Sequence, residues 1–463
     1  MAHPPNVTFG AAAASPRFRD TFDRKRLLPL ILLSASSGLP LGFIFTFLPV
    51  FLRDHGVDLK TIGVLSVVSL PWSLKVFWSP LMDRFAFGWP GRRRSWALLT
   101  QVALAGLMFV GVFYTLHHQV RLADGKLSLD PGAALGFGLL GLLIAFASAT
   151  QDIALDAYAV ELTHKSEAGA VSGLRNLLYR LGMLVAQLGV AISGALGWAR
   201  AFFGMGLCFL FFMGLTFTAA EPAKVLPPRS LVAAVVEPLV SFFRRPGILS
   251  IALFIFFYKL GDNFVGTLVN PFLADTFTSR AELGLAVKTV GLAGALVGAA
   301  VGALVMTRIG IGKSLWIFGF LQAGGNALYA VAAMVHPVAV HITALTHPSP
   351  LGVSGRVAAY GAIFAEYAFQ GMASAALSAL FLQLCEKRFG ATQYALLTSV
   401  MAGGRTLAGL PSGVVAEKVG YPTFFMLGVL LSIPGLLFLQ RIAPLHKPDL
   451  PLGVEDTPAP VPP

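Results

Sequence analysis

The sequence predicts an all-α integral membrane protein of about twelve transmembrane helices, arranged as two six-helix pseudo-repeats. Three observations carry that prediction. Hydrophobic side chains make up 56% of the 463 residues and charged ones only 12%, far from the averages of soluble domains. Apolar runs close to the ~20 residues needed to cross a hydrocarbon core as helix recur from Leu27 to Leu439. The second half of the chain also echoes the first.

Spans are expected near residues 27–52, 61–80, 95–116, 133–160, 168–198 and 201–220, then 247–273, 285–307, 314–335, 357–384, 391–415 and 423–439. Residues 1–26 form a polar tail rather than a cleavable signal, because no short apolar core with a small-residue cleavage site lies there. Asn6-Val-Thr matches a glycosylation acceptor but falls in this tail and is discounted. The one long polar stretch between spans is residues 221–246, a linker dividing a first bundle (27–220) from a second (247–442), with a Pro-rich tail at 443–463. "SGLPLG" at Ser37 matches "LGDNFVG" at Leu260, "PLMDR" at Pro80 matches "LVMTR" at Leu304, and "ELTHKSEAGA" at Glu161 matches "QLCEKRFGAT" at Gln383. "DLKTIGVL" at Asp58 also resembles "AVKTVGLA" at Ala286, and the other three pairs keep the nearly constant offset that internal duplication predicts. Parallel six-helix repeats point to a major facilitator architecture with a cavity between the halves.

A net charge of +12 could suggest nucleic acid as partner, so the positions of the cations decide. They gather in the two tails, the linker and the loops on one side of the predicted spans. This is the positive-inside pattern, with both termini cytoplasmic and lipid rather than nucleic acid as the surrounding partner. Cys208 and Cys385 are single thiols with neither disulfide nor metal-ligand spacing, so no metal site or cofactor is expected. No Ser-His-Asp, HExxH, P-loop or dinucleotide pattern survives a context check, which argues against an enzyme.

Between the second and third spans lies "PLMDRFAFGWPGRRR". Asp83, Arg84, Gly91, Arg92 and Arg93 in it resemble the cytoplasmic loop motif of the major facilitator superfamily, stretched by the insertion "FAFGWP". The physical expectation is a latch: Asp83 accepts bonds from a neighbouring helix end or an Arg, holding the halves in one state. In the matching loop of the second half Thr307 replaces the Asp, so a second latch is weak or absent.

Carboxylates within spans are the strongest functional signal, since each unpaired charge at mid-membrane costs roughly 2.5–3.5 kcal/mol. Asp152 and Asp156 share a helix face with Gln151 beside them, and the next span brings Arg175 and Arg180. Depth-matching across the antiparallel turn pairs Asp156 with Arg175 and Asp152 with Arg180. The two arginines lie roughly 140° apart on an ideal helix, however, so one of them is expected to point into the central cavity, toward a carboxylate or phosphate of a substrate. In the second half Lys259 and Asp262 can pair on one face, Gln322 and Asn326 share another, and Glu366 has no cation in its own span. Lys75 is expected to snorkel to the interface. Gly38, Pro40 and Gly261 mark the first helix of each half as breakable. All nine His fall in tails or loops, so a coupling proton would have to use carboxylates. The Gly-Pro motif that marks the fifth helix of many facilitator antiporters is absent from "RLGMLVAQLGVAISGALG", which favours symport or facilitated transport.

At these residues the chain resembles the AmpG family of bacterial muropeptide permeases. The stretches that carry it are "GVDLKTIG", "WSPLMDR", "QDIALDAY", "YRLGML", "YKLGDNF", "KTVGL", "LCEKRFGATQYALLTS" and "IPGLLFL", spanning nearly the whole chain. The resemblance implies a proton-driven importer of anhydro-N-acetylmuramyl disaccharides and their peptides in the bacterial inner membrane, acting as a monomer without cofactor. It also implies that Asp152, Asp156, Arg175 and Arg180 serve coupling or ligand binding, opposite Lys259, Asp262 and Glu366. Related permeases for acetyl-CoA or siderophores supply the alternative cargo, an anionic small molecule.

Overall fold

The computed structural model describes residues 23–57, 65–85, 87, 89–121, 127–130, 132–223, 226–245, 247–276, 286–335 and 353–443. Both tails, the start of the second expected span and the loop at 336–352 lie outside them. The chain is a helical bundle. Its first half contains α1 (Arg24–Asp54), an interrupted α2 (described over 65–84), α3 (Arg92–His118), α4 (Ala133–Leu162), α5 (Ala168–Leu196) and α6 (Trp198–Thr218). After a linker helix (Leu231–Phe243) come α7 (Ile248–Tyr258, continuing as Leu260–Thr276), α8 (Leu292–Ile309), α9 (Ile311–Val335) and α10 (Val353–Leu384). Helices α11 and α12 occupy residues 390–419 and 421–442, separated by Gly420 at φ 74°. Nine helices among the described residues are long and apolar enough to cross a membrane. A bent pair, Val357–Leu384 with Lys387–Gly409, makes a tenth, and the interrupted α2 contributes only shorter apolar segments where the sequence predicts a further span. An antiparallel β-hairpin, Gln119–Arg121 with Leu127–Leu129, joins α3 to α4.

Helix α2 departs from the single span expected at 61–80. Its described part runs as a 3₁₀ segment (Leu65–Ser69), one α turn (Leu70–Leu74), a second 3₁₀ segment (Lys75–Phe77) and a last turn (Ser79–Arg84). Pro71 and Pro80 remove amide donors there, so continuous i to i−4 bonding cannot be kept. A second correction concerns the expected breaks. Backbone at Gly38 and Pro40 stays helical, and α1 instead widens into a π turn three residues after Pro40, at Phe43–Phe47. Gly38 serves close packing: a Cβ there would fall 1.8 Å from the Tyr179 carbonyl oxygen of α5. In α7 the kink falls at Lys259 rather than Gly261, whose missing Cβ admits the Gly428 carbonyl and Ser432 hydroxyl of α12.

Apolar side chains such as Phe113, Leu135, Phe211 and Leu437 stay more than 65% exposed on the outside of the bundle. That is the face lipid covers. Since lipid tails are as apolar as Leu, helix association relies on close packing of small residues instead. Gly294, Gly298 and Gly302 form such a ridge on α8 against α10, where a Cβ on Gly298 would lie 2.0 Å from the Ala368 carbonyl oxygen. Gly298→Leu is therefore expected to destabilise the second half by at least the ~1–3 kcal/mol typical of overpacking, read as a lower melting temperature in detergent than that of Gly324→Ala, which meets no neighbour.

The two halves repeat one device at their start. The Arg26 guanidinium donates to the Leu162 carbonyl and the Glu167 carboxylate. Arg245 donates in the same way to the Leu384 carbonyl and the Glu386 carboxylate. Arg26 lies in the first turn of α1 and Arg245 in the turn that leads into α7, and each ties the entrance of its half to the turn between the fourth and fifth helices, as a duplicated six-helix unit would.

Candidate functional site

Polar chemistry concentrates at two levels of the bundle, one at the end that carries Asp83 and one in the middle. At the first, Asp83 is wholly buried. It accepts from the Arg93 guanidinium at 2.8 Å and, across the boundary between halves, from the Ala391 and Thr392 amides at 3.2 and 2.9 Å and the Thr392 hydroxyl at 2.8 Å. These amides open α11, where unpaired N–H groups and the helix dipole favour an anion. Arg93 also donates to Glu161 and to the Met82 carbonyl, and Arg92 lies 3.5 Å from Glu161. Arg94 pairs with Glu221 at 3.0 Å.

Gly91 has φ 151°, a backbone conformation that residues with a side chain rarely adopt, and a Cβ there would displace the Glu221 carboxylate, 2.2 Å away. Arg84 departs from the expected cluster, placing its guanidinium 5.7 Å from the Phe85 ring centre. On the second half Thr307 turns its hydroxyl back to the Leu304 carbonyl. The cross-boundary bond is thus asymmetric: an acid of the first half holds a helix end of the second.

In the middle of the first half, Arg175 donates to Asp156 at 2.9 Å and to the Ser34 hydroxyl at 3.2 Å. Lys75 approaches Asp156 from the other side at 3.6 Å, with only 7% of its side chain exposed. The expected snorkelling of Lys75 does not occur, because the interruption of α2 turns Lys75 and Trp72 inward. The Trp72 indole donates to Asp152 at 3.0 Å, and Gln151 bonds the Ser36 hydroxyl of α1. One depth-matched rung, Asp156 with Arg175, is present. The other is not: Asp152 takes Trp72, and Arg180, on the helix that packs against α10 of the second half, makes no ion pair within 4 Å among the described residues. The buried Nε of Arg180 has no hydrogen-bond partner.

Opposite stands the second half's cluster. Lys259 reaches Asp262 at 3.3 Å and the Gln322 amide oxygen at 2.9 Å, and Gln370 meets Asp262 at 3.5 Å. Asn326 shares the α9 face with Gln322 as expected, but both its amide atoms are buried without partners, as is the Tyr329 hydroxyl one turn on. Glu366 is buried and, among the described residues, makes no ion pair. Such a layer, lined by carboxylates, cations and amides from both halves, can bind a polar anionic solute out of water.

Sequence reasoning missed Lys75, Trp72, Tyr329, Thr392 and Glu221. For Lys75 a signal existed: the roughly 140° between Arg175 and Arg180 leaves one of the two carboxylates of α4 without an arginine. For Thr392 none did, because its amide carries no side-chain signature.

Comparison with known proteins agrees with this architecture. A family model described as acetyl-coenzyme A transporter 1 matches residues 26–189. The anhydromuropeptide permease of Escherichia coli (strain K12) is 36% identical over 92% of this chain and 81% of its own length. A putative transporter AmpG 4 of Rickettsia conorii is 28% identical, over 92% of this chain and 98% of the relative. Among solved structures, the proton:xylose symporter XylE of the major facilitator superfamily superposes with TM-score 0.66 at 12% identity, covering 93% of this chain and 98% of that one. The human organic anion transporter MFSD10 does so with TM-score 0.66 at 14% identity, over 90% and 99%. These likenesses establish a major facilitator fold.

Proposed function

The chain belongs to the anhydromuropeptide permease family, and from that premise we propose that it imports anhydromuropeptides, GlcNAc-anhydroMurNAc and its peptides, from periplasm to cytoplasm by proton-coupled alternating access. It works in the bacterial inner membrane with both termini cytoplasmic, as a monomer and without cofactor. The observation that carries this reading is the mid-bundle layer of charges, in which the buried Nε of Arg180 on α5 has no partner and α5 packs against α10, the helix that carries Glu366. A guanidinium without an ion pair among the described residues suits the carboxylates of a muropeptide. Gln322 and Asn326, both buried, and the half-buried Gln370 supply amides for sugar hydroxyls in the second half.

On this reading Asp83 with Arg92 and Arg93 is the cytoplasmic latch. Its closure across the halves supports a conformation sealed on the cytoplasmic side, with cargo entering from the periplasm. Alternating access then requires that the bonds from Asp83 to α11 break on each cycle.

Uptake of labelled anhydromuropeptide into right-side-out vesicles tests the proposal. Accumulation that follows an imposed proton gradient is expected. Absence of uptake under every gradient, with uptake of an anionic cofactor such as acetyl-CoA in its place, would overturn the cargo.

A further inference from the structure

The two halves do not balance their buried charge separately. In the first half, Asp152 and Asp156 face Lys75 and Arg175, two anions against two cations, and the ion-paired contacts all lie within that half. In the second half, Lys259 alone faces Asp262 and Glu366. The surplus cation is Arg180 and the surplus anion is Glu366, and they belong to opposite halves. An uncompensated charge in this layer is costly, so Glu366 must be neutralised by Arg180 or by a proton.

Around Glu366 the structure also provides for water. Asn326 is fully buried, yet neither its amide oxygen nor its amide nitrogen has a partner, and the Tyr329 hydroxyl, also fully buried, has none either. Both lie on α9. Gly325, between Gln322 and Asn326, packs its backbone close to Glu366, where a Cβ would meet the Glu366 Cα at 3.4 Å. Three buried polar atoms without partners on successive turns of α9 are places where ordered water would bind. The charged and titratable groups that face Glu366 are Lys259 and Asp262 from α7, Arg180 from α5, Tyr329 from α9 and Tyr367 beside it on α10.

We propose that Glu366 is the proton-carrying group, that Arg180 is the counter-charge it exchanges for a proton, and that Asp152 and Asp156 are standing charges of the first half. This deepens the proposed import and rests on it only for the identity of the cargo. When an anionic group of the cargo takes the Arg180 guanidinium, Glu366 loses its counter-charge. A hydronium ion arriving through the Asn326–Tyr329 site gives its proton to a Glu366 oxygen, forming the carboxylic acid and leaving water. After the bundle has turned over and the cargo has left, the O–H bond breaks, the proton passes to water on the other side, and the carboxylate faces Arg180 again. Cargo and proton thus travel together because one guanidinium cannot serve two anions.

Infrared difference spectroscopy of the purified full-length protein in lipid, stepped in pH, tests this without any cargo. A carbonyl band of a protonated buried carboxylic acid should appear on acidification. It should vanish in Glu366→Gln, shift in Glu366→Asp, and survive in Asp152→Asn and Asp156→Asn. In Arg180→Ala, where protonation is the remaining way to neutralise Glu366, it should persist to higher pH than in wild type. A band that persists in Glu366→Gln, one lost instead in Asp152→Asn, no band in the wild type, or an unmoved band in Arg180→Ala would each overturn the proposal. Failure of wild-type vesicles to take up muropeptide speaks against the cargo and leaves these spectra to decide on Glu366.

Discussion

Asp83→Ala is expected to unlock the latch end and stop productive cycling. The substitution removes the acceptor of the Ala391 and Thr392 amides and of the Thr392 hydroxyl, and leaves buried Arg93 with Glu161 as its remaining carboxylate. Removing one partner of a buried ion pair typically costs about 3–5 kcal/mol. Much of that cost falls on the latched conformation, because the bonds to α11 exist only while the halves are together. A differential of even ~3 kcal/mol shifts a two-state equilibrium by more than 100-fold.

The chain carries its own reporter of that shift. Cys385 lies in the turn just before α11, partly buried beside the latch. In a Cys208→Ser background, maleimide labelling of Cys385 should accelerate strongly in Asp83→Ala and less in Asp83→Asn, which keeps one oxygen acceptor for α11. Equal labelling in all three proteins would mean that Asp83 holds the fold and not the state.

Arg180→Ala is expected to cut gradient-driven uptake about 100-fold or more, the scale of losing a charge-assisted bond of roughly 3 kcal/mol. Arg180→Lys should recover part of the loss, since a single ammonium keeps the charge but not the planar fork. Arg175→Lys makes the informative contrast. Arg175 bonds Asp156, Ser34 and the Leu155 carbonyl, so its loss should appear first as a lower melting temperature. Initial rates and melting curves on the same preparations separate the two. If Arg180→Ala transports normally, the cavity is anchored elsewhere.

How far the site could be read ahead of the structure differs residue by residue. Asp156 with Arg175 and Lys259 with Asp262 were legible because helical periodicity and antiparallel depth constrain near neighbours. The 140° between Arg175 and Arg180 already implied that they could not share a partner. Gly38, Pro40 and Gly261 misled, since glycine and proline report both breaks and close approaches, and only the neighbouring helix tells which.

By itself the sequence determined that this is a polytopic helical membrane protein built from a duplicated six-helix unit, and which few charges cross its apolar layer. Hydropathy and periodicity are local properties, and burying a charge in lipid is expensive enough to make each one conspicuous. Only the tertiary structure decided that Asp83 grips the start of α11, that an interrupted α2 turns Lys75 and Trp72 onto the acids of α4, and that Arg180 and Glu366 are surplus charges on opposite halves. Each of those pairings joins residues distant in sequence. Their geometry depends on which helix faces meet, and that is set by packing over the whole bundle rather than by any one segment's pattern.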